Sequence, residues 1–203
     1  MLMHTRDSYT FLGLDIEGFE REERDEDTQL ALRASLYAGL TAALEALGDV
    51  DDVHLLDRGD GVIALLPDRI AAYAVATEAL PALIRHLDEY NGAAASPAQM
   101  RLRIVLHRGE ATSDRWGYLG RDVTMVFRLL DSDDLRRALA SVPDAAILAV
   151  SRHVWEQFDE LPTNEFRKLP PFGRPISLRT KKTYERTWTA PLGSWVSTHV
   201  LTA

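Results

Sequence analysis

Apolar residues recur along this chain with two different periods. An apolar run over residues 10–14 ends on Asp15, and a glycine and an aromatic residue follow shortly, which predicts a buried strand that turns sharply after its acid. Apolar positions at helical spacing predict a helix over residues 28–47, stopped by Gly48. Between these elements, residues 20–27 carry charges on every side, which is typical of a solvated loop or a first helical turn.

Residues 54–67 form two apolar runs joined by a turn in which Asp60 lies between two glycines, the pattern of a β-hairpin. A second amphipathic helix is predicted over residues 68–87, and Pro81 is expected to bend it because proline cannot donate the helical hydrogen bond. Residues 100–107 alternate between apolar and mainly polar side chains. This alternation predicts a strand with one polar face that stops within the next three residues.

The remaining elements are shorter. The pattern predicts helices at 123–130, 134–139 and 151–158, a buried strand at 146–150, and β-rich structure from residue 166 with strands at 176–179 and 183–189. Lys181 and Lys182 lie between the last two strands and are expected to be solvated. The order of elements predicts an α+β fold with a ferredoxin-like βαββαβ core and a β-rich C-terminal extension, in one domain over residues 1–203 with its core at about 8–190.

Composition narrows the class of protein. The 203 residues are 46% hydrophobic and 27% charged, as in a soluble globular protein, and the formal net charge of −8 disfavours a nucleic-acid partner. The chain has no cysteine, which excludes disulfides and thiolate chemistry. It shows neither a signal peptide nor an apolar stretch approaching the roughly 20 residues that span a bilayer. We therefore expect a cytoplasmic protein without a membrane partner.

Asp15 and Asp60 are the candidate chemical groups. If the first strand pairs with the hairpin, their carboxylates meet at one edge of the sheet. Two such carboxylates form a site for a hard divalent cation, Mg²⁺ or Mn²⁺, whose shell phosphate oxygens complete. The alternative is structural, with Asp15 merely capping a turn.

Four segments together resemble the class III nucleotide cyclase homology domain, over residues 10–189: residues 14–19, 58–61, 103–110 and 120–129. This resemblance implies a head-to-tail homodimer with active sites at the interface and a nucleoside triphosphate as substrate. It also implies attack of the ribose 3′-hydroxyl on the α-phosphate, which releases a 3′,5′-cyclic nucleotide and pyrophosphate.

The resemblance assigns roles to individual residues. Asp15, Asp60 and the backbone carbonyl of Ile16 would hold two metal ions, Mg²⁺ or Mn²⁺. Backbone amides at Gly18 and Phe19 would cradle phosphate oxygens, as successive N–H groups do. Arg128 of the second copy would stabilise the transition state, although an ion pair with Asp131 or Asp134 on the helix surface is the structural alternative.

Three positions depart from the purine cyclases of this family. Leu56 and Gly117 occupy the positions at which those cyclases read the base, and Thr124 replaces the asparagine that positions the ribose. Thr124 and Arg128 share one helix face, so the hydroxyl can still approach the ribose. Asp57, beside Leu56, is another residue that could read a base.

Two interpretations follow from these departures. In the first, the enzyme is specific for a pyrimidine nucleotide, UTP or CTP, as in the compact bacterial cyclases of antiphage signalling that the chain resembles. Alternatively, turnover has been lost and a cyclase-like nucleotide-binding or regulatory module remains. A third arrangement is a heterodimer whose partner chain supplies the base-reading residues.

Overall fold

One sheet runs through the computed structural model, which describes residues 4–48, 51–179, 184–193 and 195–196. Its strands are β1 (Thr5–Ile16), β2 (His54–Asp57), β3 (Gly61–Pro67), β4 (Leu102–Asp114), β5 (Gly117–Leu119), β6 (Ala146–Ser151), β7 (Ile176–Arg179) and β8 (Tyr184–Pro191). The order across the sheet is β2-β3-β1-β4-β6-β8-β7, and β5, outside this path, pairs with β4. Strand β1 is central and runs antiparallel to both β3 and β4.

The helices lie in two layers, one on each face of the sheet. They are α1 (Glu26–Ala46), α2 (Ala72–Ala74), α3 (Leu80–Ala93), α4 (Arg121–Leu130), α5 (Asp133–Ala140), α6 (Arg152–Asp159) and α7 (Thr163–Phe166). The order β1-α1-β2-β3-α3-β4, with strands arranged β2-β3-β1-β4, is the ferredoxin-like core that the sequence predicts. Strands β6, β8 and β7 extend this sheet on the β4 side, so the predicted fold class is confirmed.

Each face of the sheet has its own apolar core. Leu12 and Leu14 of β1 pack with helices α1, α3 and α6, whereas Phe11 packs with α4 and α5 on the other face. Because side chains alternate along a strand, Asp15 points to the same face as Phe11. The strand pattern therefore places Asp15 on the face that α4 covers.

The second predicted helix begins later than expected and is not one regular α-helix. It starts at Ala72, and a π-helical turn at Val75–Ala79 separates α2 from α3. Within that turn the N–H of Leu80 donates to the carbonyl oxygen of Val75, five residues back. The wide turn ends just before Pro81, which then stands in the first turn of α3, where its missing N–H is tolerated.

Strand β4 differs from its prediction in length and in environment. It continues to Asp114 instead of ending by residue 110, and forms a hairpin with β5. Its predicted polar face is buried under α4: Arg103 is 6% exposed and His107 is 3% exposed. Periodicity cannot reveal this burial, because the pairing partners of both side chains lie far away along the sequence.

One other prediction differs from the structure, and another concerns residues outside the described ranges. The charged segment 20–27 is not wholly solvated, since Arg24 is buried, while Asp25 caps α1 by accepting from the N–H of Thr28 at 2.9 Å. Lys181 and Lys182 lie outside the described residues. Helix α6 begins one residue after Ser151, whose hydroxyl lies 2.8 Å from Nδ1 of His107 and makes no cap bond.

We predict that β3 can pack against β1 only because Gly61 has no side chain. A Cβ added at Gly61 would lie 2.4 Å from the carbonyl oxygen of Leu14, so Gly61→Ala must displace backbone. We expect Gly61→Ala to lower the free energy of unfolding by about 1–3 kcal/mol in urea denaturation. Gly92→Ala is the control, since nothing lies within 4 Å there, and should raise stability by about 0.5–1 kcal/mol. Equal stability of Gly61→Ala and wild type would contradict this packing.

Candidate active site

The carboxylate-bearing residues Asp15 and Asp60 lie side by side at one edge of the sheet. Asp15 is the penultimate residue of β1 and pairs with Gly61, the first residue of β3. The N–H of Ile16 donates to the carbonyl oxygen of Asp60 at 3.0 Å, which fixes the hairpin turn against the end of β1. Asp15 is 1% exposed and Asp60 is partly exposed. The fold thus brings together two acids that are 45 positions apart in the sequence.

Arg103 is the residue at this site that sequence analysis did not identify. It lies directly across from Asp15 on β4, and its Nη2 donates to Oδ2 of Asp15 in a buried ion pair. Burial raises the pKa of Asp15 to about 6, although the positive charge of Arg103 opposes this shift, and the Asp60 carboxylate raises the pKa further. Sequence pattern offered one signal for Arg103, namely a charged residue on a strand otherwise rich in Ile, Val and Leu.

A second arginine approaches the acids from the hairpin. Arg58 donates to both carboxylate oxygens of Asp131, at 3.1 and 3.3 Å, and its guanidinium lies 4.8 Å from the ring centroid of Phe127. These contacts attach the hairpin turn to the C-terminal end of α4. Within the described part of the chain, Nη1 of Arg58 and Nε of Arg103 are buried without an acceptor. Each of these two arginines near Asp15 therefore has one buried nitrogen whose hydrogen-bonding capacity is not satisfied within the described chain.

The turn after β1 carries the predicted phosphate-binding amides. Gly18 has φ of +62°, a conformation that favours glycine, and its carbonyl oxygen accepts from the N–H of Arg21 at 3.2 Å. The Glu17 carboxylate lies between Arg101, at 3.3 Å, and Arg21, at 3.5 Å. Gly18 and Phe19 thus lie in a tight turn that begins two residues beyond Asp15.

Thr124 and Arg128 lie on the outward face of α4. Val126 and Leu130 face β1, since a Cβ added at Gly13 would lie 2.9 Å from a methyl carbon of each. Arg128 is two positions from both, which is about 200° around the axis at 3.6 residues per turn. Arg128 therefore points away from the sheet that carries Asp15 of its own chain.

The alternative role for Arg128, an ion pair with Asp131 or Asp134 on the helix surface, is not supported by the structure. Asp131 is bound by Arg58, and Asp134 pairs with Arg137. Arg128 makes no hydrogen bond or ion pair with any residue that the structure describes. The hydroxyl of Thr124 donates to the carbonyl oxygen of Gly120 at 2.9 Å, which leaves its lone pairs available as acceptors.

The positions expected at the base differ in their surroundings. Leu56 packs against the apolar core under α4, and Gly117 begins β5 at the tip of the β4–β5 hairpin. Asp57 points to the other face, where its carboxylate accepts from Arg33 and from the hydroxyl of Tyr37. These bonds occupy Asp57 within its own chain, so its role in base recognition stays a prediction.

An aromatic cluster lies close to those positions. The ring of Tyr118, next to Gly117, lies 5.0 Å from His54 and 5.8 Å from Tyr9, measured between centroids. His54 precedes Leu56 by two residues on β2, so both side chains lie on one face of that strand. His54 was not singled out from the sequence, because a lone histidine at a strand start carries no pattern. The three rings connect β2 and β5, which are not hydrogen-bonded to each other.

The acid pair fits a divalent cation that a substrate helps to hold. Among the described residues, no group of three or more histidine or acidic side chains could bind a metal by itself. Asp15 and Asp60 supply hard oxygen donors of the kind that Mg²⁺ prefers, and Mg²⁺ is commonly bound by one or two carboxylates together with substrate phosphates. The donor set therefore suits a metal ion whose remaining ligands come from another molecule.

Comparison with known proteins bears on the fold. No family model matches the sequence, and no curated protein matches it either. The structure is similar to an adenylate/guanylate cyclase/hydrolase from Silicibacter pomeroyi, with a TM-score of 0.63 and 18% identity over 93% of this chain and 98% of that one. It is also similar to the adenylyl cyclase CyaB from P. aeruginosa, with a TM-score of 0.59 and 16% identity over 93% and 95% of the two chains.

A third similar structure contains a nucleotide. It is the guanylate cyclase domain of RhGC from Catenaria anguillulae in complex with GTP, with a TM-score of 0.59 and 15% identity over 91% of this chain and 97% of that one. The chain has the fold of the class III adenylate and guanylate cyclase domains over most of its length. Separately, no helix in the described ranges is both long and apolar enough to cross a bilayer.

The ion pair between Asp15 and Arg103 gives a prediction about stability. Arg103→Met leaves a buried carboxylate without its partner and should cost about 3–5 kcal/mol in urea denaturation, whereas Asp15→Leu combined with Arg103→Met should recover most of that loss. Arg6→Met is the control, because the Arg6–Glu110 pair is exposed and is worth less than about 1 kcal/mol. Equal stability of Arg103→Met and Arg6→Met would contradict this account of the buried ion pair.

Proposed function

We propose that the protein is a metal-dependent nucleotidyl cyclase that converts a nucleoside triphosphate into a 3′,5′-cyclic nucleotide and pyrophosphate. The observation that carries this proposal is the juxtaposition of Asp15 and Asp60 at one edge of the sheet, in a fold shared with adenylyl and guanylyl cyclases. The neighbouring arginines Arg58 and Arg103 suit a polyanionic substrate.

The proposed reaction joins the ribose O3′ to the α-phosphorus and breaks the bond from that phosphorus to the bridging oxygen of the β-phosphate. The hydroxyl proton leaves to solvent, and pyrophosphate departs with the bridging oxygen. Metal ions held by Asp15, Asp60 and the carbonyl of Ile16 would lower the pKa of the hydroxyl and neutralise phosphate charge. Gly18 and Phe19 would donate backbone N–H groups to phosphate oxygens.

We propose that a second copy of the chain completes each site. Thr124 and Arg128 point away from Asp15 of their own chain, so a head-to-tail homodimer can present them to the partner's acids. Arg128 would stabilise the pentacoordinate transition state through its planar set of donors. Thr124 would contact the ribose with a shorter reach than an asparagine has.

A pyrimidine substrate, UTP or CTP, is the specificity that we propose. Leu56 and Gly117 offer no side-chain hydrogen bond to a purine, and Leu56 is partly buried and packs against an apolar core. The apolar side chain of Leu56 and the aromatic rings of His54 and Tyr118 favour a smaller base beside an apolar surface. The role in antiphage signalling and the cytoplasmic location expected from the sequence stay predictions.

One observation favours the rival function, a catalytically silent cyclase-like module. Arg103 already neutralises Asp15 in the structure, and a metal ion has to share that carboxylate or displace the guanidinium. A module that binds a nucleotide without turnover would need only the cationic groups. Turnover assays separate the two functions directly.

The first functional prediction concerns turnover and its substrate. With Mn²⁺ and each of the four ribonucleoside triphosphates in turn, we expect a cyclic product from UTP or CTP at a higher rate than from ATP or GTP. Asp60→Ala should lower the rate at least about 100-fold. Asp133→Ala, an exposed acid in the first turn of α5, should not change it. Faster purine cyclisation would refute our interpretation of Leu56 and Gly117, and absence of product at every metal and protein concentration would support the silent module.

The second functional prediction tests the shared site. Asp60→Ala and Arg128→Ala should each be inactive alone, because each removes one half of every site. An equimolar mixture should recover about a quarter of the wild-type rate, since half of the dimers are then mixed and each mixed dimer keeps one intact site. Mixtures that stay inactive after subunit exchange, verified by native mass spectrometry, would contradict a site built from two copies.

A further inference from the structure

Arg24 is a buried cation bound entirely by main-chain carbonyl groups. It is 6% exposed, although it lies in the most highly charged segment of the sequence. Its Nη1 donates to the carbonyl oxygens of Glu17 and Gly18, both at 2.9 Å. Its Nε donates to Pro97 at 2.9 Å and its Nη2 to Gln99 at 2.8 Å. No carboxylate within the described ranges accepts a hydrogen bond from this guanidinium.

Burying this positive charge is unfavourable in free energy. Burial lowers the pKa of Arg24, and the neighbouring charge of Arg21 lowers it further. A buried charge is tolerated when hydrogen bonds satisfy it, and here four bonds from three nitrogens do so. The planar guanidinium spans two separate segments, which a lysine ammonium cannot do with the same geometry.

The carbonyl groups bound by Arg24 determine where the adjacent amides point. The described chain contains no cis peptide, and in a trans peptide the N–H points opposite to the C=O. The carbonyls of Glu17 and Gly18 point towards Arg24, so the N–H groups of Gly18 and Phe19 point away from it. Gly18 has a left-handed conformation in this turn, and successive N–H groups of such turns can bind anions.

The same guanidinium also holds the segment that leads into β4. Pro97 and Gln99 precede that strand, which carries Arg103, the partner of Asp15. One side chain therefore connects the turn beyond Asp15 with the approach to Arg103. None of the four hydrogen bonds of Arg24 goes to Asp15 or Asp60.

We infer that Arg24 is a positioning residue for a polyphosphate group: it orients the Gly18 and Phe19 amides so that they donate to phosphate oxygens. This inference rests on the proposed function, because it takes the site beside Asp15 to be a phosphate site. It adds a residue outside the site that controls phosphate affinity without contacting phosphate.

Binding of inorganic tripolyphosphate with Mg²⁺, measured by titration calorimetry, tests the inference without requiring turnover. Arg24→Lys keeps the positive charge but cannot hold all four carbonyls, and we expect its dissociation constant to rise about tenfold. Arg108→Lys is the control, since Arg108 also donates to a main-chain carbonyl, that of Asp68 at 3.3 Å, and lies opposite Thr10 on β1, away from Asp15 and from the turn that follows it. That variant should keep its tripolyphosphate affinity within about twofold.

A second measurement uses the wild-type protein and so does not depend on how the variants fold. In a ¹⁵N-labelled sample titrated with magnesium tripolyphosphate, the amide resonances of Gly18 and Phe19 should shift more than those of Gly92 and Gly173. If these two resonances do not move, or if Arg24→Lys and Arg108→Lys bind tripolyphosphate equally well, the inference is overturned.

The outcomes also separate this inference from the proposed function. A protein that binds tripolyphosphate through these amides but forms no cyclic product would retain the role of Arg24 and lose the cyclase assignment. If the wild-type protein cyclises nucleotides and Arg24→Lys has the same KM, the cyclase assignment stands and the role of Arg24 is refuted. A wild-type protein that does not bind tripolyphosphate would overturn the inference by itself.

Discussion

The ion pair between Asp15 and Arg103 lies between the two central strands, β1 and β4, beneath helix α4. A carboxylate in that position is stable only with a counterion, because desolvation of an unpaired charge costs several kcal/mol. The pairing register, which sets Asp15 opposite Arg103, is thus constrained by electrostatics as well as by apolar packing. The hairpin that carries Asp60 is positioned in turn by its hydrogen bond to β1.

Other polar contacts hold helix α4 in place on this face of the sheet. His107, which lies on the same face of β4 as Arg103, is close to the Ser151 hydroxyl at 2.8 Å and to the Asp122 carboxylate at 3.4 Å. Asp122 belongs to the first turn of α4 and also accepts from the N–H of Glu110 at 2.8 Å. Polar contacts therefore attach the start of α4 to β4, while Arg58 attaches its end to the hairpin. The helix that carries Arg128 is fixed at both ends.

Sequence pattern predicted the order of the longer strands and helices, though not the short elements β5 and α7, because apolar periodicity and glycine stops are local properties. It placed Asp15 and Asp60 at one edge, since a strand beside a hairpin leaves few alternatives. It did not predict Arg103 as the partner of Asp15, the burial of Arg24 or the bonds that occupy Asp57. Each of these depends on a partner distant in the sequence, and a single sequence does not specify which buried charges meet. The π-helical turn before Pro81 was missed for a related reason, since periodicity shows that proline disturbs a helix but not how the helix adapts.

The direction of α4 has a consequence for kinetics. Val126 and Leu130 bind the helix to its own sheet, so Arg128 cannot turn towards Asp15 without unpacking that core. Any chemistry that needs the acids and this arginine together is therefore second order in protein when the copies are dilute. Dilution alone would silence such an activity, and local crowding of the chain would restore it without any chemical modification.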